Sequence, residues 1–269
     1  MSSSLEKAIE KVRVDHQQRR AAHDVDLAAP APEASGLFRV ISQVILKPKT
    51  MERNKLIPAI EDKVAITAYK VLRTRVLQRM RSNGWRNLVI TGAGSGEGKS
   101  LTACNLAVSI SKDVNQSVFL VDLDLQRSSV AKNFGLDVKL GLGDYLTGNA
   151  EIEDIIYAPE DMDRIVIIPN REPIEHSSDL IASPRMKALM KWIMDRNSKP
   201  LAIFDMPPVL SCDDVLAFLP SADAVLLVAS EGITERSGLE KTLDMLGDAN
   251  LMGVVLNKSR EQRKASAYY

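Results

Sequence analysis

The chain has 269 residues, enough to bury one good-sized core, and its 35 basic and 35 acidic side chains give a formal net charge of zero. That balance excludes global electrostatic steering toward nucleic acid or an anionic membrane, so any such attraction has to come from a local patch. Cys104 and Cys212 match no metal-ligand spacing and fit a reducing compartment, no apolar run nears the ~18 residues of a membrane span, and Met1 to Lys7 has no signal-peptide character, so the sequence reads as cytosolic.

Taken in chain order, Leu5 to His23 carries Leu5, Ile9 and Val12 on one helical stripe, as an exposed amphipathic helix would. Asp26 to Gly36 is rich in Ala and Pro, holds too little bulky apolar surface to pack, and reads as a flexible linker. Leu37 to Leu46 is a short apolar patch ending before Pro48, for which strand and helix both stay open. From Ile60 short apolar runs alternate with amphipathic segments. Strands are expected at Asn87 to Thr91, Ser117 to Val121, Arg164 to Ile168, Leu201 to Asp205, Ala224 to Ala229 and Met252 to Asn257. These runs are apolar on both faces, which a parallel sheet covered by helices on both sides requires. Pro184 to Arg196 repeats Met186, Leu189, Met190, Ile193 and Met194 at helical spacing after a first-turn Pro. The organisation expected is a docking extension at 1–59, an α/β domain with a doubly wound, mostly parallel sheet at 60–262, and a flexible tail at 263–269.

The chemistry concentrates at Thr91 to Ser100, where Gly94, Ser95, Gly96, Glu97, Gly98, Lys99 and Ser100 follow an apolar run and lead into a helical one beginning at Leu101. A glycine-rich turn can aim successive backbone N–H groups at a polyphosphate, and the helix start adds its unpaired N–H groups and positive dipole end. Lys99 then reaches the β- and γ-phosphates while the Ser100 hydroxyl ligates Mg2+. The phosphate-loop pattern is met except at its first position, where Ala93 stands for glycine.

Two acidic sites sit at the ends of expected strands, Asp122 with Asp124, and Asp205. Carboxylates leaving buried strands point into the crevice where phosphates lie and can hold a metal. Asp122 and Asp124 flank one residue, so at an extended strand end they face the same way; one can serve the metal while the other accepts a proton from an incoming hydroxyl.

With these residues in place the chain resembles the bacterial tyrosine kinases, P-loop NTPases of the deviant Walker A type. Gly96 to Ser100 resembles that family's Walker A loop, Leu120 to Arg127 its A′ motif and Ile203 to Pro208 its Walker B motif, with ordered agreement from about Thr67 to Lys258. The resemblance implies an ATP- and Mg2+-dependent tyrosine autokinase of polysaccharide synthesis and export. It implies that Ser100, Asp122 and Asp205 organise the metal, that Lys99 binds phosphate, that Asp124 is the base and that Asn257 lies near the adenine. Tyr268 and Tyr269 are the implied phosphoacceptors. It further implies self-association and a membrane co-polymerase or activator that recruits the cytoplasmic protein to the inner membrane face, with no nucleic-acid partner. Leu5 to Lys11 resembles the start of the exosortase-associated members.

Three positions depart from the pattern. Gln126 stands where the A′ motif has arginine, and Thr67 and Lys70 replace the Glu and first Arg of the ring-assembly helix, leaving Arg73. The alternative reading is a positioning ATPase or a regulatory nucleotide-binding module; the former class carries a second lysine where this chain has Gly94.

Overall fold

A computed structural model describes residues 43–196 and 198–259. The segments at 5–23 and 26–36, Tyr268 and Tyr269 lie outside the described residues.

The elements begin with β1 (Gln43–Val44), α1 (Pro48–Arg53), α2 (Lys63–Asn83), β2 (Asn87–Gly92), α3 (Lys99–Ser111) and β3 (Val118–Asp122). There follow α4 (Val130–Phe134), α5 (Leu142–Leu146), β4 (Ala158–Pro159), β5 (Ile165–Ile168), α6 (Ser177–Ile181) and α7 (Pro184–Met194). The last are β6 (Leu201–Asp205), α8 (Asp214–Phe218), β7 (Ala224–Ser230), α9 (Arg236–Leu246) and β8 (Leu251–Asn257). All six expected strands form, with ends shifted by about one residue, and α7 ends two residues earlier than its apolar spacing suggested.

Six strands pair in the order β5-β3-β6-β2-β7-β8, every pair parallel. Alternating side chains feed two cores. Val118, Leu120, Leu201 and Ile203 join the face covered by α2 and α3, while Phe119, Val121, Ala202 and Phe204 join the face covered by α7, α8 and α9. Strand order reverses around β2, which lies between β6 and β7, so the crevice at the carboxyl ends falls beside the loop that leaves β2. At the far edge β8 buries Met252 but exposes Val254 and Leu256. Among the described residues no helix is long and apolar enough to cross a membrane.

Two features differ from the sequence reading. The packed body begins before Ile60: Leu46, Met51, Leu56 and Ile57 are buried in the core beside α3. The cause is Asn105 on that helix, whose carboxamide substitutes for a backbone partner, accepting from Ile57 N at 2.8 Å and donating to Lys55 O at 3.1 Å. The apolar patch left open at 37–46 contributes the two-residue strand β1, paired parallel with β4.

Helix α2 is capped by Asp62, whose Oδ1 accepts from Val64 N and Ala65 N, and stops at Gly84 in the left-handed conformation. Arg73 on this helix donates to Ser109 O at 3.0 Å, engaging the C-terminal turn of α3 within its own chain.

Asn105→Ala is expected to cost about 2 kcal/mol in urea unfolding, because the buried Ile57 N–H loses its acceptor. A loss under about 0.5 kcal/mol would show that residues 55–57 are held by other contacts.

Candidate active site

The loop from β2 to α3 closes on itself. Lys99 is 7% exposed, and its ammonium donates to Gly94 O at 2.7 Å, bending the chain around the space between them. Burial lowers the Lys99 pKa, and Glu97, Asp205 and Asp124 oppose that fall, so the cation is drawn inward by three carboxylates. Gly98 is the N-cap of α3 with φ of 91°, a left-handed conformation that favours glycine. A Cβ at Gly98 would also collide with Nδ2 of Asn257. Ser95 and Gly96 are exposed at the turn, and Ser100 and Leu101 are half-buried in the first turn of α3.

Asp122 and Asp205 end neighbouring strands and are direct partners in the β3–β6 register, both with 0% exposure. Asp122 Oδ2 accepts from Ser129 N and Val130 N at 3.1 and 3.0 Å, whereas its Oδ1 and both Asp205 carboxylate oxygens have no hydrogen-bond partner. Burial pushes Asp205 up to about 7, with the nearby Ser100 hydroxyl opposing the rise without closing a hydrogen bond of full geometry. Burial and then the Asp205 charge hold Asp122 well above the carboxylate range, so the two carboxyls titrate as one coupled pair.

Asp124 lies beyond the strand end. Its Oδ1 accepts from Arg127 N at 2.9 Å, it stays half-exposed, and burial raises its pKa against the pull of that N–H, Lys99 and Arg127. The strand stops at Asp122, so Asp122 and Asp124 are set apart by local bonding: one is sealed under the 129–130 turn and the other borders the crevice.

Gln126 occupies the place of the A′ arginine and donates from Nε2 to Ser177 Oγ at 3.3 Å; Ser177 in turn donates to the Asp214 carboxylate at 2.8 Å. Burial raises Asp214 and lifts the neighbouring Cys212 thiol to about 11, while Cys104 is fully buried in α3, so neither thiol is an activated one. Asn257 has both ends of its carboxamide occupied, Nδ2 donating to Glu97 O at 2.9 Å and Oδ1 accepting from Lys258 N at 2.8 Å. Its amide therefore braces the loop backbone. Sequence reasoning missed Thr234, whose hydroxyl donates to Glu97 Oε1 at 2.6 Å from 137 positions away, since nothing local marks it.

The model of the CobQ/CobB/MinD/ParA nucleotide binding domain matches residues 88–269. The putative tyrosine-protein kinase EpsB of Ralstonia solanacearum is 32% identical over 206 residues, 74% of this chain and 26% of that protein. The tyrosine-protein kinase YwqD of Bacillus subtilis is 28% identical over 222 residues, covering 81% of this chain and 92% of its own. The solved kinase domain of the Escherichia coli tyrosine kinase ETK superposes with a TM-score of 0.67 at 29% identity, covering 77% of this chain and 81% of that one. The chain belongs to the CobQ/CobB/MinD/ParA nucleotide-binding family, among the bacterial tyrosine kinases.

In this family member the three unpartnered carboxylate oxygens of Asp122 and Asp205 suit a hard divalent cation. Among the described residues no cluster of three or more metal-ligating side chains occurs. Mg2+ is typically held by one or two carboxylates together with phosphate oxygens and water, and Asp122 and Asp205 supply two carboxylates with free oxygens.

An acid whose folded pKa lies above its unfolded value holds a proton that unfolding releases, so stability falls as pH rises between the two values. With Asp205 near 7 when folded, and ~3.9 as the unfolded reference, the melting temperature in a chelator is expected to fall as pH rises from about 5 toward about 8. Asp205→Asn should flatten that slope and raise stability at pH 8 by about 2 kcal/mol. A variant that melts with the wild-type pH profile would overturn the assignment.

Proposed function

We propose that the chain is an ATP- and Mg2+-dependent protein-tyrosine kinase domain that phosphorylates Tyr268 and Tyr269 between copies and regulates exopolysaccharide or capsule synthesis and export. The observation that carries the reading is the division among the three aspartates: Asp122 and Asp205 are sealed with free oxygens beside Ser100, and Asp124 stands half-exposed at the crevice edge with a raised pKa. The relatives EpsB, YwqD and ETK, each named as a tyrosine kinase, support the same activity. The chain spans only 26% of the length of EpsB, so the activity comes from this domain's own chemistry, and the acceptor and partner from its likeness to the family.

The loop N–H groups and the α3 N-terminus bind the polyphosphate, and Lys99 exchanges the Gly94 carbonyl for phosphate oxygens. Bound Mg2+ would be held by Ser100, Asp122 and Asp205 and would offset charge on the β- and γ-phosphates. Asp124 accepts the tyrosine phenol proton as the phenolate oxygen bonds to the γ-phosphorus; the bond from that phosphorus to the bridging oxygen breaks, and ADP leaves. Gly94 offers no ammonium, so the second-lysine device of positioning ATPases is missing from this loop. A membrane co-polymerase or activator protein, docking on the N-terminal segment at 5–36 that precedes the packed residues 46–57, would bring the cytoplasmic kinase to the inner face of the membrane.

Purified protein incubated with Mg-ATP and its activator is expected to gain phosphotyrosine, located by mass spectrometry at Tyr268 and Tyr269 and abolished by Lys99→Met. Asp124→Asn should lower the rate by roughly 100-fold or more while nucleotide affinity stays within about threefold. Phosphotyrosine persisting in Lys99→Met, or wild type that hydrolyses ATP without modifying any tyrosine, would overturn the kinase reading.

A further inference from the structure

The outer arm of the phosphate loop is held from the other end of the domain. Lys258, the residue after β8, donates from Nζ to Gly96 O at 2.8 Å, and Asn257 donates to Glu97 O, across 162 and 160 positions of sequence. Lys258 does this from a left-handed backbone with φ of 54°, which costs a side-chain-bearing residue energy that glycine would avoid. Its N–H is tied to Asn257 Oδ1, so the turn that aims the ammonium is itself braced. The carbonyl it grips belongs to the peptide whose N–H is that of Glu97, in the middle of the glycine-rich turn. A cation on a peptide oxygen draws electron density from the nitrogen and makes the N–H a stronger donor toward an anion.

We infer that Lys258 is a positioning residue for the nucleotide: its ammonium, seated on the Gly96 carbonyl, holds the loop in its anion-receptive shape and sharpens its N–H groups. The inference rests on the nucleotide-binding part of the function proposed above and does not need phosphoryl transfer to tyrosine. Lys258 is exposed at a sheet edge, so its loss removes little packing, and the left-handed backbone supplies a discriminating substitution. Lys258→Gly relieves the backbone strain while deleting the ammonium. A turn-forming role alone predicts that this variant binds nucleotide as well as wild type; the positioning role predicts weaker binding.

The full chain is titrated with a fluorescent ADP analogue in the presence of Mg2+ for wild type, Lys258→Gly and Lys258→Arg. Lys258→Gly is expected to raise the Kd about fivefold, the scale of one net hydrogen bond, with unchanged or raised Tm, and Lys258→Arg is expected to stay within about twofold of wild type. In phosphotyrosine assays KM for ATP should rise for Lys258→Gly while kcat moves less than about twofold. Lys258→Gly binding the analogue as tightly as wild type overturns the inference, whatever the kinase assay returns. The expected Kd pattern in a protein that forms no phosphotyrosine supports it and sinks the kinase reading alone; wild type that binds no nucleotide overturns both.

Discussion

Two carboxylates on paired strands, both shut away from water, oppose folding unless protons or a cation join them. Asp122 and Asp205 are held in that position by the β3–β6 register, and the surrounding architecture makes sense as its support. Two N–H groups from the 129–130 turn take one Asp122 oxygen, Ser100 stands against Asp205, and Lys99 supplies a buried positive charge that acts on Asp205. The arrangement leaves free acceptor oxygens at one point of the fold, beside the loop built to receive phosphate. The site is therefore preorganised for a partner carrying positive charge, and the folded protein tolerates the cost because parallel β-sheet pairing and two apolar cores fix both strands.

The all-parallel order with β2 between β6 and β7 makes that placement a matter of topology. Loops leaving β2, β3 and β6 converge at one end of the sheet, bringing Lys99, Asp122, Asp124 and Asp205 into electrostatic reach although they are distant in sequence. The same convergence brings in β7 and β8. Thr234 after β7 and Asn257 and Lys258 at the end of β8 touch the loop at Glu97 and Gly96, so the loop is held on its outer side by the last two strands.

The parts of this fold that could be read in sequence are those encoded locally. Runs such as Val118 to Val121 and Leu201 to Phe204 are apolar on both faces because helices cover both sides of the sheet, and that doubly buried signature needs no tertiary knowledge. The glycine-rich loop and strand-end aspartates were legible for the same reason. Burial of residues 46–57 was not, because it depends on Asn105, a polar residue in an otherwise apolar helix whose partners lie about 50 positions upstream. Nor could spacing separate the environments of Asp122 and Asp124: two residues apart they share a face in an extended strand, but the strand ends between them and each carboxylate is claimed by a different turn. Thr234 carries no local mark, and the hydrogen bonds that tie Asn257 to Glu97 O and Lys258 N are equally invisible to spacing.

Gly98 shows how such convergence shapes what the sequence can become. A glycine in this position is ordinarily required by the approach of phosphate and by its left-handed backbone, yet here the Asn257 amide fills the space a side chain would need. The Asn257 amide therefore adds a second reason for glycine at 98. A side chain at 98 would meet both a left-handed backbone and the Asn257 amide, so shortening 257 alone would not make room for one, and the loop is tied in this way to an edge strand that lies far away in sequence.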